Sequence, residues 1–319
     1  MTRARNQQVC LDATSYYHCV SRCVRRTFLC GYDDYSKRDF EHRRGWIESR
    51  IKMLSQIYCI DICAYAVMSN HYHLVVHINK SQALKLNELE VVELWSKMHS
   101  LPVLIQRWLK QELKGEAEHT VVQEIIQTWR ERLYSLSWFM RELNFDIALK
   151  ANQEENCKGH FWESRYKSQA LLDEKALLAA MAYTDLNPIR AGMADTPEHS
   201  DYTSVKERLS ALAHQQTTAS CLHPFIGNAS NEMLSGIPFR LMDYIELVDW
   251  TGREFREGKA SISSRQPPLL KRLNINQKAW LKACTQLEKQ RALCIGMKES
   301  IQCNLSRLHR RRMCGYQLN

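Results

Sequence analysis

In the first third of the chain, apolar positions crowd into short runs rich in aromatic and β-branched residues. These runs predict strands near 15–23, at about 57–68 and at 71–79. The short polar turn Met68-Ser69-Asn70 joins the last two. Between the first strand and the second, apolar residues recur at helical spacing (Trp46, Ile47, Ile51, Leu54). A helix from about Ser36 to Gln56 follows, with Arg43, Arg44, Arg50 and Lys52 on its polar side. Residues 81–152 keep the helical period throughout. Their longest piece, about Thr120 to Lys150, sets Val122, Ile125, Trp129, Leu133, Leu136, Met140 and Leu143 along one stripe. Strand character returns at Gly159 to Leu172. Asp173 is a good N-cap for a helix from Glu174, which must end near Asn187 because Pro188 disfavours helical geometry in the residue before it.

With the helical insertion set aside, the order is β-α-β-β-(α)-β-α. This is the split βαβ, ferredoxin-like plan of an α+β protein: an antiparallel four-stranded sheet with helices on one face. Residues 202–213 add a helix, so the unit spans 1–213, with its insertion at about 81–152. The polar stretch 214–236 reads as a linker. Residues 237–319 form a second helical unit, assigned to target binding or positioning. Its basic end, Arg310 to Arg312, reads as a DNA arm or as solvated surface.

Composition narrows the function. Of 319 residues, 45% are apolar and 25% charged, as in soluble globular proteins. No apolar run reaches the ~18 residues of a membrane span, and the start of the chain is polar, so a cytoplasmic protein with no membrane partner is expected. The twelve cysteines include no Cys-x-x-Cys pair and read best as buried free thiols. The zinc alternative combines Cys59 and Cys63 with His71 and His73. A formal charge of +9 favours an anionic partner, nucleic acid first.

Two places carry chemistry. In a strand, His71 and His73 point to one face and Tyr72 to the other, so both imidazoles can converge on one ion. An isolated His-x-His is nevertheless more often a half-exposed strand. A hundred residues on, Tyr183 and Asn187 stand four apart on one helical face whose other members are Ala176, Ala179 and Ala180. Leu177, Leu178, Met181 and Leu186 remain to pack on the sheet. On spacing alone, a tyrosine with a buried ring and a surface hydroxyl is the commoner case.

Met68 to Leu74, taken with Tyr183 to Gly192, resembles the single-tyrosine HUH transposases, in particular the REP-associated tyrosine transposase branch. Phe161 to Gln169 is also like that branch. The similarity covers about residues 12–195. Tyr72 occupies the middle place where the family usually has an aliphatic residue. The resemblance implies His71 and His73 as metal ligands, Tyr183 as nucleophile and Asn187 as third ligand. Imidazoles with an amide oxygen suit Mg²⁺ or Mn²⁺, and no nucleotide cofactor is implied. The activity implied is a metal-dependent single-stranded DNA transesterase. It cleaves and rejoins beside REP-like hairpins through a 5′-phosphotyrosine. Arg22, Arg25, Arg26, Arg165 and Lys167 are candidates for phosphate contacts, and Trp162 and Tyr166 for base stacking. Trp162 reads equally well as a core residue. Arg190 either holds the tyrosine helix or reaches DNA. Asp173 and Asp185 read as a cap and a surface residue. The alternative is a non-catalytic single-stranded nucleic-acid-binding module on the same fold. A monomer is favoured over a dimer.

Overall fold

The computed structural model describes residues 8–24, 29–33, 37–216, 219, 221–227, 236–256, 267–288, 292–308 and 315–318. The chain opens with β1 (Tyr16–Arg22), a small hairpin β2 (Tyr32–Asp33) and β3 (Arg38–Asp39), then α1 (His42–Ser55), β4 (Ile60–Val67) and β5 (His71–Ile78). The insertion holds α2 (Lys80–Lys85), α3 (Glu88–Ser96), α4 (Val103–Leu109), α5 (Glu116–Leu133) and α6 (Leu136–Glu154). After it come β6 (Lys167–Leu171), α7 (Glu174–Asp185), α8 (Asn187–Arg190) and α9 (Ser204–Ala213). The C-terminal region supplies α10 (Leu241–Arg256), α11 (Pro268–Arg272), α12 (Gln277–Gln286), β7 (Cys294–Gly296), α13 (Lys298–Asn304) and β8 (Gly315–Gln317).

The protein is α+β, built on a six-stranded mixed sheet in the order β4-β5-β1-β6-β7-β8. The first four strands are antiparallel neighbours, while β7 and β8 add on in parallel. The expected sheet had four strands. The extra two come from the region read as purely helical, whose strands span only three residues each and leave no period to detect.

Pleating sorts the sheet into two faces. The face bearing Tyr17, Cys19, Tyr72, Leu74 and Val76 shares a core with Ile47, Ile51 and Leu54 of α1 and with Phe139, Met140 and Leu143 of α6. Tyr72 is satisfied there, because its hydroxyl donates to Asn144 Oδ1 at 2.7 Å. Cys63, Ala64, Val75 and Leu171 join a second core with α7 and the C-terminal helices. Helices thus cover both faces rather than one. The reason lies in α7: its residues 176–185 are buried all round, so it needs the sheet beneath it and α12 above.

The long stripe from Thr120 breaks into α5 and α6 at Tyr134 and Ser135. Arg43, assigned to a polar helix face, is fully buried under Phe40, and Glu154 and Glu155 neutralise it at 2.6–2.7 Å. The α7 cap is as expected, since Asp173 Oδ1 accepts from Ala176 N at 2.9 Å. After α8 the chain turns out at Gly192, whose φ of +69° a side chain would strain.

Asp185 is not a surface residue. It is fully buried and accepts from Ser204 Oγ, Val205 N (3.0 Å) and Tyr244 Oη, which ties α7 to α9 and α10. Burial raises its pKa, and the Arg208 charge and the three donors oppose that. Asp185→Ala leaves three donors without an acceptor, at about 1–3 kcal/mol each. We expect urea unfolding to show a loss on the order of 3–5 kcal/mol. A loss below about 1 kcal/mol would show that these bonds do not carry the junction.

Candidate active site

The second face of the sheet gathers the candidate side chains. Register sets Arg22 opposite His71, Val20 opposite His73 and His18 opposite both Val75 and Gln169. His18, Arg22, His71, His73, Lys167 and Gln169 therefore all point toward α7. The His71 and His73 ring centroids lie 4.8 Å apart. From α7, Tyr183 faces them, with its ring 5.5 Å from His73 and 5.9 Å from His18.

The proton positions follow from the partners. Gln169 Nε2 donates to the carbonyls of Leu287 (3.3 Å) and Ala292 (3.0 Å), so its Oε1 accepts from His18 Nδ1 at 2.9 Å. His18 Nε2 then holds a lone pair and accepts from His73 Nδ1 at 3.1 Å. That leaves His73 Nε2 unprotonated, and it has no partner although it is buried. His71 Nδ1 likewise donates to Asn70 Oδ1 at 2.5 Å, which leaves its Nε2 unprotonated with a lone pair to offer. This is how metal-binding histidines are held: one nitrogen fixed by a hydrogen bond, the other offered to the ion.

Electrostatics supports the neutral rings. Burial, then the charges of Arg22, Arg190 and Lys167, pull His71 down to about 3. His73 lies well below its usual value through burial, with His71 and His18 adding to the shift. Burial also lowers His18, against the Gln169 bond. Burial pushes the Tyr183 phenol up to about 12; Arg190 lowers it and Glu288 raises it.

Glu288, just beyond α12, closes the site. Tyr183 Oη lies 3.5 Å from Glu288 Oε2, and Arg22 Nη2 lies 3.9 Å from the same oxygen. The ligand atoms of His71, His73 and Glu288 all fall within 4.8 Å of one another. Two neutral imidazoles and a carboxylate fit a divalent cation. Arg190 spreads its guanidinium over the Tyr183 ring at 4.0 Å and donates to the Cys284 carbonyl at 2.7 Å, so it clamps the tyrosine rather than projecting outward. Asn187, on the next turn after Tyr183, is buried with no partner for Nδ2.

Other candidates lie elsewhere. Tyr166 is a core residue packed on the opposite face of the sheet. Trp162 is half-buried against that same core, edge-on to Tyr72, and its Nε1 donates to the Asn144 carbonyl at 2.8 Å. Neither ring is presented beside Tyr183. Arg165 and Lys167 are exposed, whereas Arg25, Arg26 and Arg310 to Arg312 fall outside the described residues. Cys59 belongs to the first core and Cys63 to the second, so the four-residue zinc cluster does not assemble. None of the eleven described cysteines is in a disulfide. A separate cluster gathers around Asp61, whose Oδ2 receives His77 Nδ1 at 2.8 Å and Asn79 Nδ2 at 3.3 Å, with His223 Nδ1 at 3.5 Å.

Sequence reasoning missed His18, Gln169 and Glu288. Strand alternation places His18 on the face of Arg22, but only the register reveals that this is also the face of His73. Gln169 and Glu288 carry no local signal. Among the described residues, no helix is long and apolar enough to cross a membrane.

No family model and no curated protein sequence matches this chain. Among solved structures, it is similar to a REP-associated tyrosine transposase bound to a REP hairpin. The two share 12% identity at a TM-score of 0.39, over 66% of this chain and 86% of that one. The likeness is distant.

Proposed function

We propose that this chain is a metal-dependent single-stranded DNA transesterase of the REP-associated transposase type, with its strands β1, β4, β5 and β6 as a ferredoxin-like core. The observation that carries the reading is the meeting of Tyr183 with a histidine pair whose free nitrogens are both aimed away from their hydrogen-bonded partners. His71 and His73 hold the ion, with Asn187 as the further donor the family pattern supplies. When bound, a divalent ion polarises the scissile phosphate as a Lewis acid. Tyr183 attacks: the Oη–P bond forms, the P–O3′ bond breaks, and the phenolic proton is balanced by the one taken up at the freed 3′-hydroxyl. One phosphodiester is exchanged for another, so no nucleotide is consumed. Arg190 positions the ring. Arg22, Arg165 and Lys167 at the exposed rim contact the DNA backbone.

The test is incubation with end-labelled single-stranded DNA carrying REP-like hairpins and Mn²⁺, followed by a denaturing gel. We expect a protease-sensitive covalent adduct that a chelator abolishes. Hairpin binding without adduct, across a panel of hairpins, would identify a non-catalytic binding module instead.

A further inference from the structure

We infer that Glu288 is a metal ligand, so that the C-terminal region supplies the anionic donor of the catalytic centre. The inference deepens the reading above and rests on it only in taking the histidine pair as a metal site. The segment that bears Glu288 is held against that site on both sides. Arg190 grips the Cys284 carbonyl, and Gln169 grips the carbonyls of Leu287 and Ala292. Gln169 is the same residue that sets the tautomer of His18, and through it that of His73. The backbone beside Glu288 is thus tied, through Gln169 and His18, to the imidazole that its carboxylate would ligate beside.

The chemistry also favours it. His71, His73 and Asn187 are all neutral, whereas Mg²⁺ and Mn²⁺ are hard cations that prefer anionic oxygen. Among the described residues, Glu288 is the carboxylate grouped with the two histidines. Its present neighbours, the Tyr183 hydroxyl at 3.5 Å and Arg22 at 3.9 Å, make only long contacts and leave the carboxylate free to take an ion.

The experiment is calorimetric titration of the full chain with Mn²⁺, paired with the absorption spectrum of added Co²⁺. It compares wild type, Glu288→Gln, Glu288→Asp and the double variant His71→Ala/His73→Ala, with metal-free thermal melts to confirm folding. Glu288→Gln keeps the size of the side chain and removes its charge. It should bind Mn²⁺ at least about tenfold more weakly and shift the Co²⁺ bands. Glu288→Asp should recover part of both. Unchanged affinity and spectrum in Glu288→Gln, with wild type binding one ion that the double variant loses, would overturn the ligand assignment alone. Tighter binding in Glu288→Gln would also overturn it, by making the carboxylate a plug. No uptake by wild type would sink the metal reading itself, and Glu288 with it.

Discussion

Tyr183→Phe should reduce covalent DNA adduct by at least about 10³-fold while leaving the protein folded and the histidine pair in place. The substitution is unusually clean here. Phenylalanine keeps the ring that packs against His73 and His18 and lies under Arg190. It removes only the hydroxyl, whose contact with Glu288 is a long 3.5 Å. Unfolding free energy should therefore change by under about 1 kcal/mol. The loss of activity would then report chemistry rather than damage. A tyrosine pushed up to about 12 is protonated at neutral pH, so the proposed nucleophile depends on its surroundings for activation. The measurement is adduct yield on labelled hairpin DNA with Mn²⁺, beside a thermal melt. Persistence of the adduct in Tyr183→Phe would move the nucleophile to another residue.

A steep loss of stability is expected between pH 7 and pH 5. His71 sits at about 3 and His223 at about 4, both lowered chiefly by burial, while an unfolded histidine titrates near 6.5. Below that pH the unfolded chain takes up protons that the native chain refuses, so stability falls as pH drops through the unfolded pKa toward the folded one. Each of these two groups contributes roughly 2 kcal/mol of loss by pH 5. His18 and His73, also lowered by burial, act in the same direction. Urea midpoints at pH 7, 6 and 5, with chelator present, measure the effect. His223→Gln should flatten the curve by about its own share. A midpoint that does not move over this range would mean the rings are not held neutral in the native protein.

Much of the candidate site was legible before folding, because it is written in short periods. Alternation put His71 and His73 on one face, and helical spacing put Tyr183 and Asn187 on another. The Asp173 cap and the Pro188 stop located the helix between them. Each of these relations spans a few residues and depends on backbone geometry alone. Assignments that depended on depth fared worse. Asp185 and Arg43 look like surface residues by composition, yet both are buried with partners brought from distant segments. Trp162 and Tyr166 stand beside basic residues in the chain but pack on the opposite side of the sheet from Tyr183.

The chain alone thus determined which residues could share a face. Tertiary structure decided which faces meet. The His18–Gln169 bond joins positions 151 residues apart, and the Tyr183–Glu288 contact joins positions 105 apart. Strand register and the packing of α12 on α7 create both. Those are fixed by the burial of whole apolar surfaces, summed over many side chains, and no local spacing encodes them.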